Sequence, residues 1–130
     1  MTAYPLLRYR DARAALDFLQ RAFAFEALAV HDDGNGRIAH AEVRAGDGIV
    51  MLGDAPGTED RYAHHVGRGW IYVAVPEVDE LCARAREAGA EITMEPTDQD
   101  YGSRDFAARD LEGNEWSFGT YAPQPVSAAP

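Results

Sequence analysis

Few residues of this chain are of types that do chemistry, and their spacing excludes most of it. His64 and His65 stand side by side, as a metal pair could, but adjacent residues on an extended chain point opposite ways. They also lie in a stretch rich in Gly, Pro and charge, so a surface loop is the expected setting. His40 reads as an exposed or half-buried strand residue. Cys82 is the only cysteine, which excludes an intrachain disulfide. It falls on the apolar stripe of a helical pattern with no basic partner on that face, the setting of a buried core thiol rather than a nucleophile. No Ser-His-Asp order, Cys-x-x-Cys pair, phosphate loop or dinucleotide fingerprint occurs. Glu115, Tyr72 and Tyr101 could act singly as acid or base, without a pair of carboxylates to share the work.

The elements that must position these groups come twice. Alternating and apolar runs predict strands over 4–10, 25–30, 37–44 and 49–52, with a helix after Asp11, whose carboxylate suits an N-cap. A second set follows: strands over 70–75, 91–95, 103–109 and 115–121, with a helix ending near Gly89, where a helix C-terminal glycine belongs. Each set reads β-α-β-β-β, an α+β pattern. Gly48 and Gly113, each in an acidic turn before a strand, lie 65 apart in the sequence. The same shift sets Leu16 on Leu81, Ala24 on Gly89 and Glu26 on Glu91. Two copies of one motif suggest a pocket formed between them. The divisions are a first module over 1–54, a linker over 55–68, a second module over 69–121 and a disordered tail over 122–130.

Strand alternation sorts the faces. Trp70 and Tyr72 share one face of their strand, while Ile71, Val73 and Val75 share the other and should pack under the helices. Trp116 and Phe118 should also face a helix, leaving Glu115 and Ser117 opposite. Leu7 and Tyr9 should face the helix, and Tyr4, Leu6 and Arg8 the other side. An aromatic wall of Trp70 and Tyr72 can stack on a planar ligand or hold a cation over its rings. The alternative use of Trp70 is as filler of a void.

Twelve arginine and lysine residues against twenty-two acids give a net charge of −10, which repels phosphate backbones and argues against nucleic-acid binding. Such acidity is usually a solubility device, and its sharper meaning is attraction of a cationic ligand. No apolar run reaches the ~18–20 residues of a membrane span, and the start of the chain lacks the pattern of a secretion signal. A cytoplasmic protein is expected.

The paired order, together with Tyr9-Arg10-Asp11-Ala12-Arg13-Ala14-Ala15-Leu16-Asp17-Phe18-Leu19, Ala22-Phe23-Ala24-Phe25-Glu26 and Ala88-Gly89-Ala90-Glu91-Ile92, resembles the vicinal oxygen chelate superfamily. Most specific are Tyr101-Gly102-Ser103-Arg104-Asp105-Phe106 and the run from Arg109 through Glu112-Gly113-Asn114 to Tyr121. That stretch is similar to bleomycin-resistance-like and glyoxalase-like members. The resemblance covers about 4–121. It implies two modules forming a half-open curved sheet with a concave cleft and helices outside, and commonly a homodimer in which module one of one chain pairs with module two of the other. Metal-dependent members place ligands on the first and last strand of each module. Carried over, those positions fall at Tyr4, Leu52, Trp70 and Ser117, none suited to a divalent metal. Hence no cofactor is expected.

The functional expectation is a metal-free small-molecule binding protein that sequesters a cationic or aromatic ligand. Its pocket would be lined by Tyr4, Leu6, Arg8, Leu52, Trp70, Tyr72, Glu115 and Ser117. A metal-dependent lyase or isomerase, or a metal-free enzyme, are the rival readings. Gly102-Ser103-Arg104-Asp105 is expected to be structural, with Arg104 paired to an acid.

Overall fold

The computed structural model describes residues 1–125; most of the expectation for the tail, 126–130, falls outside the described residues. The first module runs β1 (Leu6–Tyr9), α1 (Ala12–Phe23), β2 (Glu26–Asp32), β3 (Ile38–Ala45) and β4 (Gly48–Asp54). A single 3₁₀ turn, Ala63–His65, interrupts the connection. The second module runs β5 (Trp70–Ala74), α2 (Val78–Glu87), β6 (Glu91–Asp98), β7 (Arg104–Arg109) and β8 (Glu115–Gly119). Neither helix is long and apolar enough to cross a membrane.

Local chemistry sets the ends of these elements. Asp11 caps α1 by accepting from the Ala14 N–H at 3.1 Å, so one of the orphan donors of the first turn is satisfied. At the other end Ala24 takes a left-handed conformation with φ of 60°. The matching place after α2 is held by Gly89 at φ 94°, where no Cβ opposes the turn. Strand β6 continues through Pro96 to Asp98 rather than ending at Glu95. It is an outer strand, where a missing N–H can face away from the ladder.

Each module forms a four-stranded mixed sheet, ordered β1-β4-β3-β2 and β5-β8-β7-β6. The outer strands β1 and β5 approach each other without a hydrogen-bonded ladder; a Cβ on Gly69 would come within 2.5 Å of Leu7 Cδ2. In both sheets the first strand lies parallel to the last, with Leu6 opposite Met51 and Tyr72 opposite Ser117.

One core is shared by both modules, where α1 and α2 pack on the sheets and on each other. Trp116 and Phe118 are fully buried, as their alternation requires, and Phe23 at the end of α1 lies 5.9 and 4.8 Å from their rings. Cys82 is buried in the same core, and burial pushes its thiol pKa up. Arg84 of α2 donates to the Arg21 and Gln20 carbonyls at 2.8 and 3.1 Å, satisfying acceptors that the end of α1 leaves open.

A buried polar knot locks one seam between the modules. Asp110 Oδ2 accepts from the Tyr9 hydroxyl (2.6 Å), Trp116 Nε1 (3.0 Å) and Asn114 Nδ2 (3.2 Å). Its Oδ1 accepts from the backbone of Glu112 and Asn114. Next to it the Glu112 carboxylate accepts from the Arg10 and Asp11 N–H groups at 2.6 and 2.9 Å. The run 109–115, the most specific part of the family resemblance, is thus engaged in holding two modules together. Burial, then the Asp110 charge, raises the Tyr9 pKa well above the ordinary phenol value.

Candidate functional site

The open faces of the two sheets, opposite the shared core, carry the residues expected to bind. Leu6 and Arg8 emerge from β1, and Trp70 and Tyr72 from β5. Glu115 and Ser117 stand half-buried on β8. Tyr4 precedes β1 and is exposed. Trp70 is 76% exposed, which removes its alternative use as filler of the interior. Its indole N–H donates to Ser117 Oγ at 2.9 Å, fixing the ring against the sheet.

Leu52 departs from this pattern: it is 1% exposed, inside the core. The cause is register. Between the paired residues Arg44 and Ile49 lie four residues, while between Arg109 and Glu115 lie five. Strands β1 and β4 therefore match β5 and β8 at a spacing of 66, not 65: Leu6 with Tyr72, Met51 with Ser117, Gly53 with Gly119. Because successive strand residues face opposite sides, the one-residue slip sends Leu52 inward and brings Met51 to the open face.

Nor do the remaining residues line one cavity. Leu6 and Arg8 border a cavity of about 240 Å³ with Tyr62 and His65. Tyr4 and Tyr72 border another of about 390 Å³, between the segment that precedes β1, the β3–β4 turn with the start of β4, and β5. Trp70, Glu115 and Ser117 stand on the open sheet outside both.

The equivalent glycines explain what each open face holds. At Gly53 a Cβ would lie 2.5 Å from Arg8 Nη1 and 2.7 Å from the Ala39 carbonyl, so the missing side chain lets the guanidinium cross the strand. Its other side meets the Tyr62 ring, with Cζ 4.6 Å from the centroid. All twelve cationic side chains are arginines. Among the described residues Arg8 is the half-buried one with no carboxylate partner; Arg104, the other half-buried arginine, pairs with Asp79 and Asp98 and is held protonated by them. The expectation of an acid for Arg104 therefore holds, and the partners lie outside its own segment.

At Gly119 a Cβ would collide with the Asp105 carboxylate and the Tyr72 hydroxyl. Asp105 is buried and accepts from Ser103 Oγ and from the Tyr101 hydroxyl, the latter at 2.9 Å. That hydrogen bond raises the Tyr101 pKa, while desolvation raises that of Tyr72. The Tyr72 hydroxyl donates to the Tyr121 carbonyl at 2.6 Å, and the Tyr121 N–H donates to Ser103 Oγ at 3.1 Å.

Sequence reasoning did not place Tyr62 or Met51 at the open faces, and it read His65 as a surface-loop residue and Asp105 as part of a structural segment. Tyr62 left a signal: an aromatic in an otherwise polar connection. His64 and His65 are both exposed in the 3₁₀ turn. His40 is hydrogen-bonded to Glu42 at 2.9 Å and stacks near His31. Among the described residues no group of three or more His, Cys, Asp or Glu is placed to hold a metal ion. Of the four carried-over positions, Leu52 is buried in the core, and Ser117 pairs with Tyr72 rather than Trp70, while Met51, in the place expected for Leu52, pairs with Leu6. Neither Tyr4, Trp70 and Ser117 nor the row Leu6, Met51, Tyr72 and Ser117 is a donor set that suits a divalent metal.

The sequence profile of the Glyoxalase/Bleomycin resistance protein/Dioxygenase superfamily matches residues 2–118. An uncharacterised protein of Mycobacterium bovis (strain ATCC BAA-935 / AF2122/97) is 33% identical over 128 residues, covering 94% of this chain and 82% of the relative. Among solved structures, TioX from Micromonospora sp. ML1 is similar at TM-score 0.77 and 32% identity, covering 97% of this chain and all of that one (100%). A glyoxalase I mutant from Zea mays is similar at TM-score 0.72 and 20% identity, covering 94% of this chain and 46% of that one, a likeness of fold. With its two β-α-β-β-β modules, this chain belongs to the Glyoxalase/Bleomycin resistance protein/Dioxygenase superfamily.

Proposed function

We propose that the protein is a metal-free small-molecule binder of the bleomycin-resistance type, which sequesters a planar aromatic ligand on its open sheet faces. The observation that carries this reading is Trp70: a large ring, mostly solvent-exposed, tethered by a hydrogen bond to Ser117 and followed by Tyr72 on the same face. Exposing such a ring has a hydration cost that only a ligand or partner recovers. The donor set of the inner strands supports the metal-free part, since Leu6, Met51, Tyr72 and Ser117 lack three converging ligands for a divalent ion. Among the described residues Arg8 is the cation on these faces with no carboxylate partner, so an acidic group on the ligand would meet a guanidinium free to hold it in a bidentate manner.

Two copies assembling would complete the site. Leu6, Trp70 and Tyr72 are exposed apolar side chains on two separate sheet faces, and a second chain that laid its other module on each face would cover them. The test is a screen in three arms. Thermal shift against aromatic acids, aromatic amines and divalent metals should show stabilisation by the acids, because a ligand bound only to the native state raises its stability. Elemental analysis after dialysis should show no stoichiometric metal, and light scattering at micromolar concentration should give a dimer. About one zinc, nickel or manganese retained per chain would contradict the reading.

A second reading has one observation in its favour. The exposed Tyr101 phenol, in the β6–β7 connection, is hydrogen-bonded to the buried Asp105 carboxylate, an arrangement able to relay a proton. Turnover of any ligand found in the screen, lost in Tyr101→Phe, would move the protein from binder to enzyme.

A further inference from the structure

The third cavity, about 440 Å³, is larger than the other two and lies away from both open faces. It sits on the second seam between the modules, where the end of α1, the β3–β4 turn and the β5–α2 connection meet. On the first seam the corresponding place is filled: the longer β7–β8 connection brings in Asp110 and Glu112, which bond across to Tyr9, Arg10 and Asp11. The shorter β3–β4 turn passes instead through Gly46, with φ of 60° and with the Ala74 carbonyl 3.0 Å from where a Cβ would be. No side chain of that turn reaches the seam as Glu112 does, and a cavity takes its place.

Its lining has a definite chemistry. Phe23, Val75, Pro76 and Leu81 give an apolar floor. Of the charged groups at the wall, Arg44 is paired with Glu26 at 3.0 Å, and Arg84 is engaged with the carbonyls of α1. Glu77 and Glu80 make no ion pair among the described residues. Glu77 occupies the N-cap position of α2, and its side chain makes no capping hydrogen bond. With three carboxylates (Glu26, Glu77 and Glu80) against two guanidiniums (Arg44 and Arg84), the net charge at the wall is negative by one, in a chain whose net charge of −10 already favours the approach of cations.

We infer that this seam cavity is a second ligand site, taking a small organic cation whose apolar body lies on Phe23, Val75, Pro76 and Leu81 and whose ammonium group is held by Glu77 and Glu80. It differs from the open faces both in place and in the sign of the charge it accepts. A ligand here touches both modules, so occupancy stiffens the seam that the polar knot does not hold.

The test is an amide-shift titration of the whole protein with benzyltrimethylammonium, beside the neutral benzyl alcohol. Saturable shifts are expected at Gly46, Val75, Glu77 and Leu81, weaker with benzyl alcohol. The double variant Glu77→Gln with Glu80→Gln should weaken the ammonium at least about threefold, as two exposed ion pairs allow, and added salt should do the same. Both glutamates are exposed, so the variant should keep its spectrum elsewhere. Trp70→Ala should leave these shifts unchanged, which separates this site from the open-face reading. Equal binding of benzyl alcohol, undiminished binding by the double variant, or shifts confined to other residues would each overturn the inference.

Discussion

Gly53 and Gly119 occupy the same place in the two modules, yet opposite charges lie across them. The Arg8 guanidinium covers Gly53, backed by Tyr62, while the Asp105 carboxylate and the Tyr72 hydroxyl cover Gly119. The two seams differ in the same spirit: one is filled by Asp110 and Glu112, the other leaves a cavity beside Gly46. The repeat supplies the frame, and the chemistry sits where the copies diverge. A glycine kept in both modules marks a place that must stay open, while the residue that enters it is free to change.

The filled seam offers the largest effect. Asp110→Ala strips the acceptor from three side-chain and two backbone donors, and should cost about 3–5 kcal/mol in urea unfolding, since the donors stay buried and unpaired. A loss below about 1 kcal/mol would mean that the seam is held by the core alone.

The two glycines come next. Gly53→Ala should cost about 1–3 kcal/mol, because the new methyl meets the Ala39 carbonyl as well as Arg8, and backbone yields less readily than a side-chain tip. Gly119→Ala meets only side chains, Asp105 and Tyr72, and should cost less. The reverse order in thermal unfolding would break the contrast drawn between the modules.

Tyr9→Phe removes one donor from the knot and should cost about 1–2 kcal/mol. It also sharpens a pH effect. The folded state holds the Tyr9 proton more tightly than the unfolded chain. That stabilisation is complete below the unfolded value of about 10 and is lost as pH rises from there towards the folded value. Stability measured above about pH 10 should fall less steeply in Tyr9→Phe than in the parent. The smallest effect is at the helix ends: Ala24→Gly should gain about 0.5–1 kcal/mol by relieving a left-handed alanine, whereas Gly89→Ala should lose a similar amount.

Much of the fold was legible because it depends on local signals. The cap at Asp11, the glycine at Gly89 and the alternation through Trp116 and Phe118 each have a short-range cause. The slip at Leu52 came from a turn: one extra residue before Glu115 changes the repeat spacing without disturbing either hydrophobic pattern. The partners of Arg8 were hidden for another reason. Tyr62 reaches it, and His65 shares its cavity, from a connection with no periodicity. The role of 109–115 was equally non-local, since Asp110 and Tyr9 are 101 residues apart.

The central claim is that Trp70 belongs to a ligand and not to the core, and one paired measurement on Trp70→Ala tests it. Equilibrium unfolding should change by less than about 1 kcal/mol, as expected for an exposed side chain. Titration with the best aromatic acid from the screen should weaken by about 1–3 kcal/mol, the range for a stacked ring contact. A loss of about 3–5 kcal/mol in stability, the cost of emptying a core site, with unaltered affinity in the folded fraction, would contradict the account.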